Sequence, residues 1–358
     1  LDETGIDPSW LESEDGIAMM AGNRLPTGAE PIATAYAGHQ FGGWNPQLGD
    51  GRAILLGEVV NKKNQRFDIQ LKGAGETLYS RMGDGRSPLG PVLREYIVSE
   101  AMAAMGVPTT RSLGAVASGD TVYRERALPG AILARVASSH IRVGTFQYFF
   151  ARNDVEGLRL LADHILERDF PNAKLSESPY AALLDEAMHR QAKLIAQWQG
   201  AGFIHGVMNT DNMLICGETI DYGPCAFMDY FDPTACYSSI DHGKRYAYKN
   251  QPTIAHWNIS WLAQSLIPLF HDDENEAIAI AQNALNQFPA IFEKSHQTVM
   301  HLKFGFGEIT AETTQFIDAF MGHLAAEQQD FTQAFRHLAY LSTPLSGQQR
   351  KIPGQVPA

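Results

Sequence analysis

Cysteine is scarce in this chain, with three in 358 residues, at Cys216, Cys225 and Cys236, and none in Cys-x-x-Cys spacing. That count and spacing argue against a disulfide framework or a zinc site and point to a reducing compartment. No apolar run approaches the ~18 residues of a membrane-spanning helix, and no charged-then-apolar leader opens the sequence. Internal repeats, low-complexity tracts and long Ser/Pro linkers are absent too. Positive charge is in deficit: 28 Lys and Arg against 40 Asp and Glu give a formal net charge of -12. Nucleic-acid backbones and anionic membranes are therefore not expected as main partners, although a local basic cleft is compatible with this balance. Leu1 stands where a methionine would, and the ending "KIPGQVPA" has no structural stop, so both ends read as cut.

What is present describes a globular protein: 44% hydrophobic and 19% charged residues, in a length that suggests about two domains or lobes. Residues 1-50 are rich in Gly, Pro and Asn and read as turns and loop. Residues 51-145 favour strands. "GRAILLGEVV" and "RFDIQLKG", joined by the polar "NKKNQ", predict one hairpin, and "TVYRERA" with "GAILARVA", joined across Leu128-Pro129, predict a second. Between them a helix is expected from Pro88 to Met105, ended by Gly106 and Pro108. Residues 146-350 read as helical, with an amphipathic helix over "YAALLDEAMHRQAKLIAQWQ" and further helices over Ile254 to Phe270, Glu274 to Phe288 and Ala311 to Leu341. Strands first and helices second make an α+β chain with two unequal lobes.

Several residues carry chemistry. In "FDIQLKGAG", strand alternation puts Lys72 opposite Phe67, Ile69 and Leu71. Alone it reads as a surface lysine. With Glu95 on the following helix it reads as an ammonium held for phosphate, as in kinases. Gly-Asp-Gly-Arg occurs twice, at Gly49 to Arg52 and at Gly83 to Arg86. Each is a turn signal, and each also lets backbone N–H groups and an arginine approach a phosphate. Arg135 and Arg142 lie where a kinase hinge would read adenine; they read either as two solvated arginines in a connector or, since an adenine carries no negative charge, as cations for a triphosphate tail lying there.

"HGVMNTDNMLICGETIDYGP", from His205 to Pro224, keeps the frame of the kinase H-R-D-x-x-x-x-N and D-F-G motifs, but Val207 replaces the catalytic Asp. Asn212 and Asp221 have the hard oxygen donors that suit Mg²⁺ on a nucleotide. Val207 cannot accept a proton, whereas Asp211, beside Asn212, can.

These segments, together with "YAGHQFGGWNPQLGDGR", "LKGAGETLYSRMGDGR", "LREYIVSEAM", "VPTTRSLGAV" and "SWLAQSL", resemble the selenoprotein O family of pseudokinases, known as protein adenylyltransferases. The resemblance covers most of the chain. It implies a protein-kinase-like two-lobed fold that binds ATP turned around and moves AMP to Ser, Thr or Tyr hydroxyls of protein substrates. Carried over by position, it implies nucleotide contacts at Gly49, Gly51, Arg52, Lys72, Asp84, Gly85, Arg135, Arg142 and Asp221. It pairs Lys72 with Glu95, makes Asp211 the proton acceptor, and makes Asn212 and Asp221 the ligands of Mg²⁺ or Mn²⁺. It implies a bacterial cytoplasmic protein, or a mitochondrial one in a eukaryote. Family members extend further at both ends, and the C-terminal redox residue of the family is missing here. Conventional phosphotransfer and an inactive nucleotide-binding scaffold stand as alternatives.

Overall fold

The computed structural model describes residues 4–341; the tail, and the end of the helical region expected up to residue 350, lie outside them. The chain opens with two short helices, α1 (Pro8–Leu11) and α2 (Glu14–Met20), then a small hairpin of β1 (Gly38–Gln40) and β2 (Gly43–Asn45). This corrects the expectation of turns and loop over the first 50 residues. Helix α2 has only seven residues, too few to show a period or to be stable alone. Ser13 caps it by accepting the Gly16 N–H, and packing on the sheet holds it.

That sheet has five strands: β3 (Ala53–Val60), β4 (Arg66–Lys72), β5 (Ser87–Pro88), β6 (Arg111–Tyr123) and β7 (Ala127–Ala137). β7 is central, paired on one side with β4 and β5 and on the other with β6, all antiparallel. Side chains alternate across it. Ile69, Leu71, Ile132, Ala134 and Val136 face Leu11, Met19 and Met20 of the opening helices. The other face carries Gln70, Lys72 and Arg135, with Leu133 and Ala131 packed against Val92 of α3 (Leu89–Ala104). The β3–β4 hairpin turns at the expected segment. The second hairpin turns at Arg124 to Arg126, not at Leu128-Pro129, and Pro129 lies inside β7 opposite Thr121. The missing proline N–H is tolerated because β4 pairs only with Leu133 to Ala137 and β5 only with Gly130 and Ala131.

The second lobe is helical: α4 (Val143–Phe150), α5 (Val155–Arg168), α6 (Pro171–Lys174) and α7 (Pro179–Ala201) precede the strand pair β8 (Phe203–Ile204) and β9 (Ala226–Phe227). α8 (Gln251–Phe270), α9 (Glu274–Leu285), α10 (Phe288–Phe304), α11 (Ala311–Ala326) and α12 (Phe331–Leu341) follow. Phe146, Leu183, Leu184, Met188, Ile259 and Leu262 are at the centre of its core. Two helix expectations change. The helix begun at Glu274 stops at Leu285, and Phe288 opens α10, with Pro289 in its first turn where no N–H is needed. The stretch from Ala311 to Leu341 is two helices, separated where Gln328 adopts a left-handed φ of 50° and Asp330 accepts the Gln333 N–H.

The lobes are tied together behind the cleft. Arg168 of α5 donates to Asp68 Oδ1 of β4 (2.6 Å), to the Ser138 carbonyl (2.6 Å) and to Glu58 of β3. His140 adds its backbone N–H to Asp68 Oδ2 at 2.9 Å. A sheet lobe with one inward helix, joined to a helical lobe across a cleft, is a protein-kinase-like α+β fold.

Candidate active site

Between the lobes lies a cleft of about 490 Å³. Its buried wall follows from the register of the sheet. Gln70 stands opposite Arg135 and Lys72 opposite Leu133 across β4 and β7, so strand alternation delivers Gln70, Lys72 and Arg135 to one face. From α3, Glu95 reaches down to both cations: Lys72 Nζ is 2.6 Å from Glu95 Oε2, and Arg135 Nη1 is 2.9 Å from Oε1. Arg142, the N-cap residue of α4, completes the group from the connector between the lobes.

All three cations converge on Asp221. Lys72 and Arg135 donate to its Oδ1 at 2.6 and 3.0 Å, and Arg142 to its Oδ2 at 3.0 Å. Arg142 also reaches Asp50 Oδ1 at 3.3 Å. Three positive and three negative side chains thus neutralise each other, the condition under which charges this deeply buried can be retained. Burial acts to raise the Asp221 and Glu95 carboxyls. The surrounding cations overcome it, holding Asp221 well below the usual carboxylate range and Glu95 below its own. Asp221 also has a left-handed backbone, φ 62°, uncommon for a residue with a side chain.

The loop carrying Asp211 and Asn212 is shaped by His205. Its Nε2 donates to the Ile220 carbonyl (2.8 Å), its Nδ1 accepts the Val207 N–H (3.3 Å), and its ring stacks on Trp198. Burial lowers its basicity, so it bridges the two arms of the loop as a neutral imidazole. Val207 contributes its backbone: its carbonyl accepts Asn212 Nδ2 at 3.0 Å, which leaves the Asn212 carbonyl oxygen as a donor to a cation. Asp211 is 6% exposed. Gln40 Nε2 donates to its Oδ2 at 2.9 Å, its Oδ1 is buried without a partner, and burial pushes its carboxyl up to about 6 against the opposing hydrogen bond from Gln40.

Both Gly-Asp-Gly-Arg turns line the cleft, and the segment between them is tied to the first. Thr77 Oγ1 donates to the Asp50 carbonyl (2.7 Å) and Ser80 Oγ to the Gly51 carbonyl (2.5 Å). Gly49 has φ 146°, and a Cβ there would stand 2.3 Å from the Tyr79 ring; a Cβ on Gly85, φ 62°, would meet the Gly75 carbonyl at 2.0 Å. Both turns need glycine for approach and for conformation. Asp84 is held by Arg124 in a two-point pair, 2.8 and 2.9 Å, and those hydrogen bonds lower its carboxyl to about 2. Arg52 lines the same cleft and is exposed.

Every site residue expected from sequence therefore borders this one cleft. Sequence reading missed Gln40, Asp50, Gln70, Arg124 and also Tyr36, whose ring faces the Arg142 guanidinium at 4.8 Å in the cleft. Gln70 had a signal, since it lies two residues before Lys72 on the same strand face. Asp50 sat inside a motif read only for its glycines and arginine. Tyr36 and Gln40 come from an irregular segment, and Arg124 from a misplaced turn, so nothing local marked them. Among the described residues no group of three or more His, Cys, Asp or Glu could hold a metal alone. The donor set of Asn212 and Asp221, both in the cleft, instead fits Mg²⁺ shared with phosphate oxygens. No described helix is long and apolar enough to cross a membrane.

A family described as "Protein adenylyltransferase SelO" matches residues 1–353. The chain is 59% identical over 337 residues to the protein nucleotidyltransferase YdiU of Bradyrhizobium sp. (strain BTAi1), covering 94% of this chain and 69% of that one. It is 56% identical over 340 residues to its counterpart in Rhodopseudomonas palustris (strain BisB18), covering 95% and 69%. Among solved structures, ROP2 from Toxoplasma gondii, described as having a protein-kinase fold and no enzymatic activity, aligns with a TM-score of 0.36 and 10% identity over 92% of this chain and 95% of that one, too loosely to argue from. The sequence matches decide the matter: the chain belongs to the SelO family of nucleotidyltransferases.

Proposed function

We propose that this protein transfers AMP from ATP to Ser, Thr or Tyr hydroxyl groups of proteins. The observation that carries the reading is the position of Arg142. It is 2% exposed, it sits in the connector where a kinase would read an uncharged purine, and it joins Lys72 and Arg135 around one point. The donors of this buried trio suit a triphosphate tail, each close contact being worth up to ~4 kcal/mol at an effective dielectric of 20 before the opposing charge of Asp221, Glu95 and Asp50 is counted. With the β- and γ-phosphates drawn there, the α-phosphate is left toward Asp211.

Phosphate oxygens then share the donors that hold Asp221, while Glu95 keeps Lys72 and Arg135 in place. Asn212 and Asp221 would hold Mg²⁺, which supplies neutralisation of phosphate charge. The acceptor oxygen forms a bond to the α-phosphorus, the bond to the β-phosphate oxygen breaks, and pyrophosphate leaves. The hydroxyl proton passes to the Asp211 carboxylate, whose basicity is raised by burial toward the working pH.

The test is incubation with Mg²⁺ and ATP labelled on the α- or the γ-phosphate. Protein-bound α label alone supports the reading. Protein-bound γ label supports phosphotransfer instead, and neither label, with ATP binding shown separately, supports a scaffold.

A further inference from the structure

Helix α3 is used twice. Glu95 turns inward to Lys72 and Arg135, as described. Its neighbour Arg94, about 100° round the helix, reaches over the rim to the segment that follows Asp221. Arg94 Nε donates to the Gly223 carbonyl at 2.9 Å, and Nη2 donates to the Cys225 carbonyl. Its donors go to backbone, with Cys225 Sγ also 3.9 Å from Nη2, and not to a carboxylate. The fork of a guanidinium suits this: two carbonyls two residues apart are gripped by one rigid plane, which an ammonium cannot do.

The gripped segment needs an external hold. Asp221 is in the left-handed region at φ 62°, a conformation that persists only when its surroundings enforce it. The Gly223 N–H folds back to the Asp221 carbonyl at 2.8 Å, and a Cβ on Gly223 would have no neighbour within 4 Å, so little packs against the turn there. Tyr222 is anchored on the inner side by Thr109. Arg94 supplies the anchor from α3, the helix that also sets the height of the phosphate-binding cations.

We infer that Arg94 is a positioning residue for nucleotidyl transfer, holding the Asp221-Tyr222-Gly223 turn so that the Asp221 carboxylate stays aimed into the cleft. One helix then fixes the cations through Glu95 and the metal-binding carboxylate through Arg94, in a single relative register. This rests on the proposed role of Asp221 as a metal ligand.

The test uses Arg94→Met, which keeps the apolar stem and removes both donors, and Arg94→Lys, which keeps one charge without the fork. Affinity for Mn²⁺ is measured by paramagnetic resonance on the full chain with a non-hydrolysable ATP analogue, alongside kcat, KM and the melting temperature. Asp221→Ala is the reference. Supporting groups around metal ligands are typically worth 10- to 100-fold in metal affinity. Arg94→Met is expected to weaken Mn²⁺ binding about tenfold or more and to lower kcat, and Arg94→Lys to recover part of both. Unchanged Mn²⁺ affinity in Arg94→Met, with affinity lost in Asp221→Ala, overturns the inference and leaves the proposed function standing. A lower melting temperature with unchanged Mn²⁺ affinity also overturns it, by reducing Arg94 to a structural staple. Unchanged affinity in Asp221→Ala overturns the metal-ligand role and the inference with it.

Discussion

Arg135 stands directly across the β4–β7 ladder from Gln70, and the Gln70 carbonyl oxygen takes two of its hydrogens, from Nε at 3.2 Å and Nη2 at 2.5 Å. That leaves Nη1 turned to Glu95 and Asp221. A neutral side chain therefore aims the most buried cation of the site. Gln70→Leu, similar in size, strips two charged donors of their acceptor. Hydrogen bonds to charged groups contribute ~1.5–3 kcal/mol. The variant is expected to lose about that much unfolding free energy in urea and to bind a non-hydrolysable ATP analogue more weakly.

Asp211 and Asp221 should fail differently. Removing a general base costs roughly 10²- to 10⁴-fold, so Asp211→Ala is expected to keep slow AMP transfer. Asp221→Ala removes the proposed metal ligand and the carboxylate that all three buried cations share, and is expected to show none. Initial rates with α-labelled ATP decide this, and equal residual rates would remove the distinction.

Glu218 predicts a pH effect on stability. It borders a cavity of about 300 Å³ behind the sheet, accepts the Ser138 N–H, and is pushed by burial from 4.5 to about 7. Its folded state binds the proton more tightly than its unfolded state. It therefore favours folding below about pH 4.5 and loses that contribution as pH rises to about 7. Glu218→Gln mimics the protonated form. Urea midpoints of the variant should gain on those of the parent between pH 4.5 and 7 and run parallel above. A constant difference across that range would show that Glu218 does not titrate there.

Gly49→Ala tests the nucleotide loop. The new methyl group would enter the Tyr79 ring at a φ of 146°, and such backbone strain costs ~1–3 kcal/mol. The expected result is a raised KM for ATP with a smaller change in kcat. Gly57→Ala, a glycine with similar φ and open space around it, reports the backbone cost alone on thermal stability.

What the sequence made legible follows the range of the interactions. Alternation in β4 is a local signal, and it placed Lys72 opposite the apolar face correctly. The helix after it, with Pro88 at its start and Gly106 at its end, was equally local. The contribution of the first 50 residues was not. His39 N–H meets Thr210 Oγ1 across 171 positions of sequence, and Gln40 reaches Asp211 over the same distance. Helices α1 and α2 exist because the sheet presents Ile69, Leu71 and Ile132 for them to cover, and seven residues carry no record of that surface. The turn at Arg124 differs from the expected Leu128-Pro129 because Pro129 is accommodated inside β7 opposite Thr121, and that tolerance depends on which strands lie alongside.

The bond from Arg168 to Asp68, Ser138 and Glu58 limits how this enzyme can breathe. The Arg168 and Asp68 side chains are only 6% and 4% exposed, so this tie is shielded from water while the lobes stay together. The two glycine turns that line the cleft are thus a mouth set on a jaw already tied at the back.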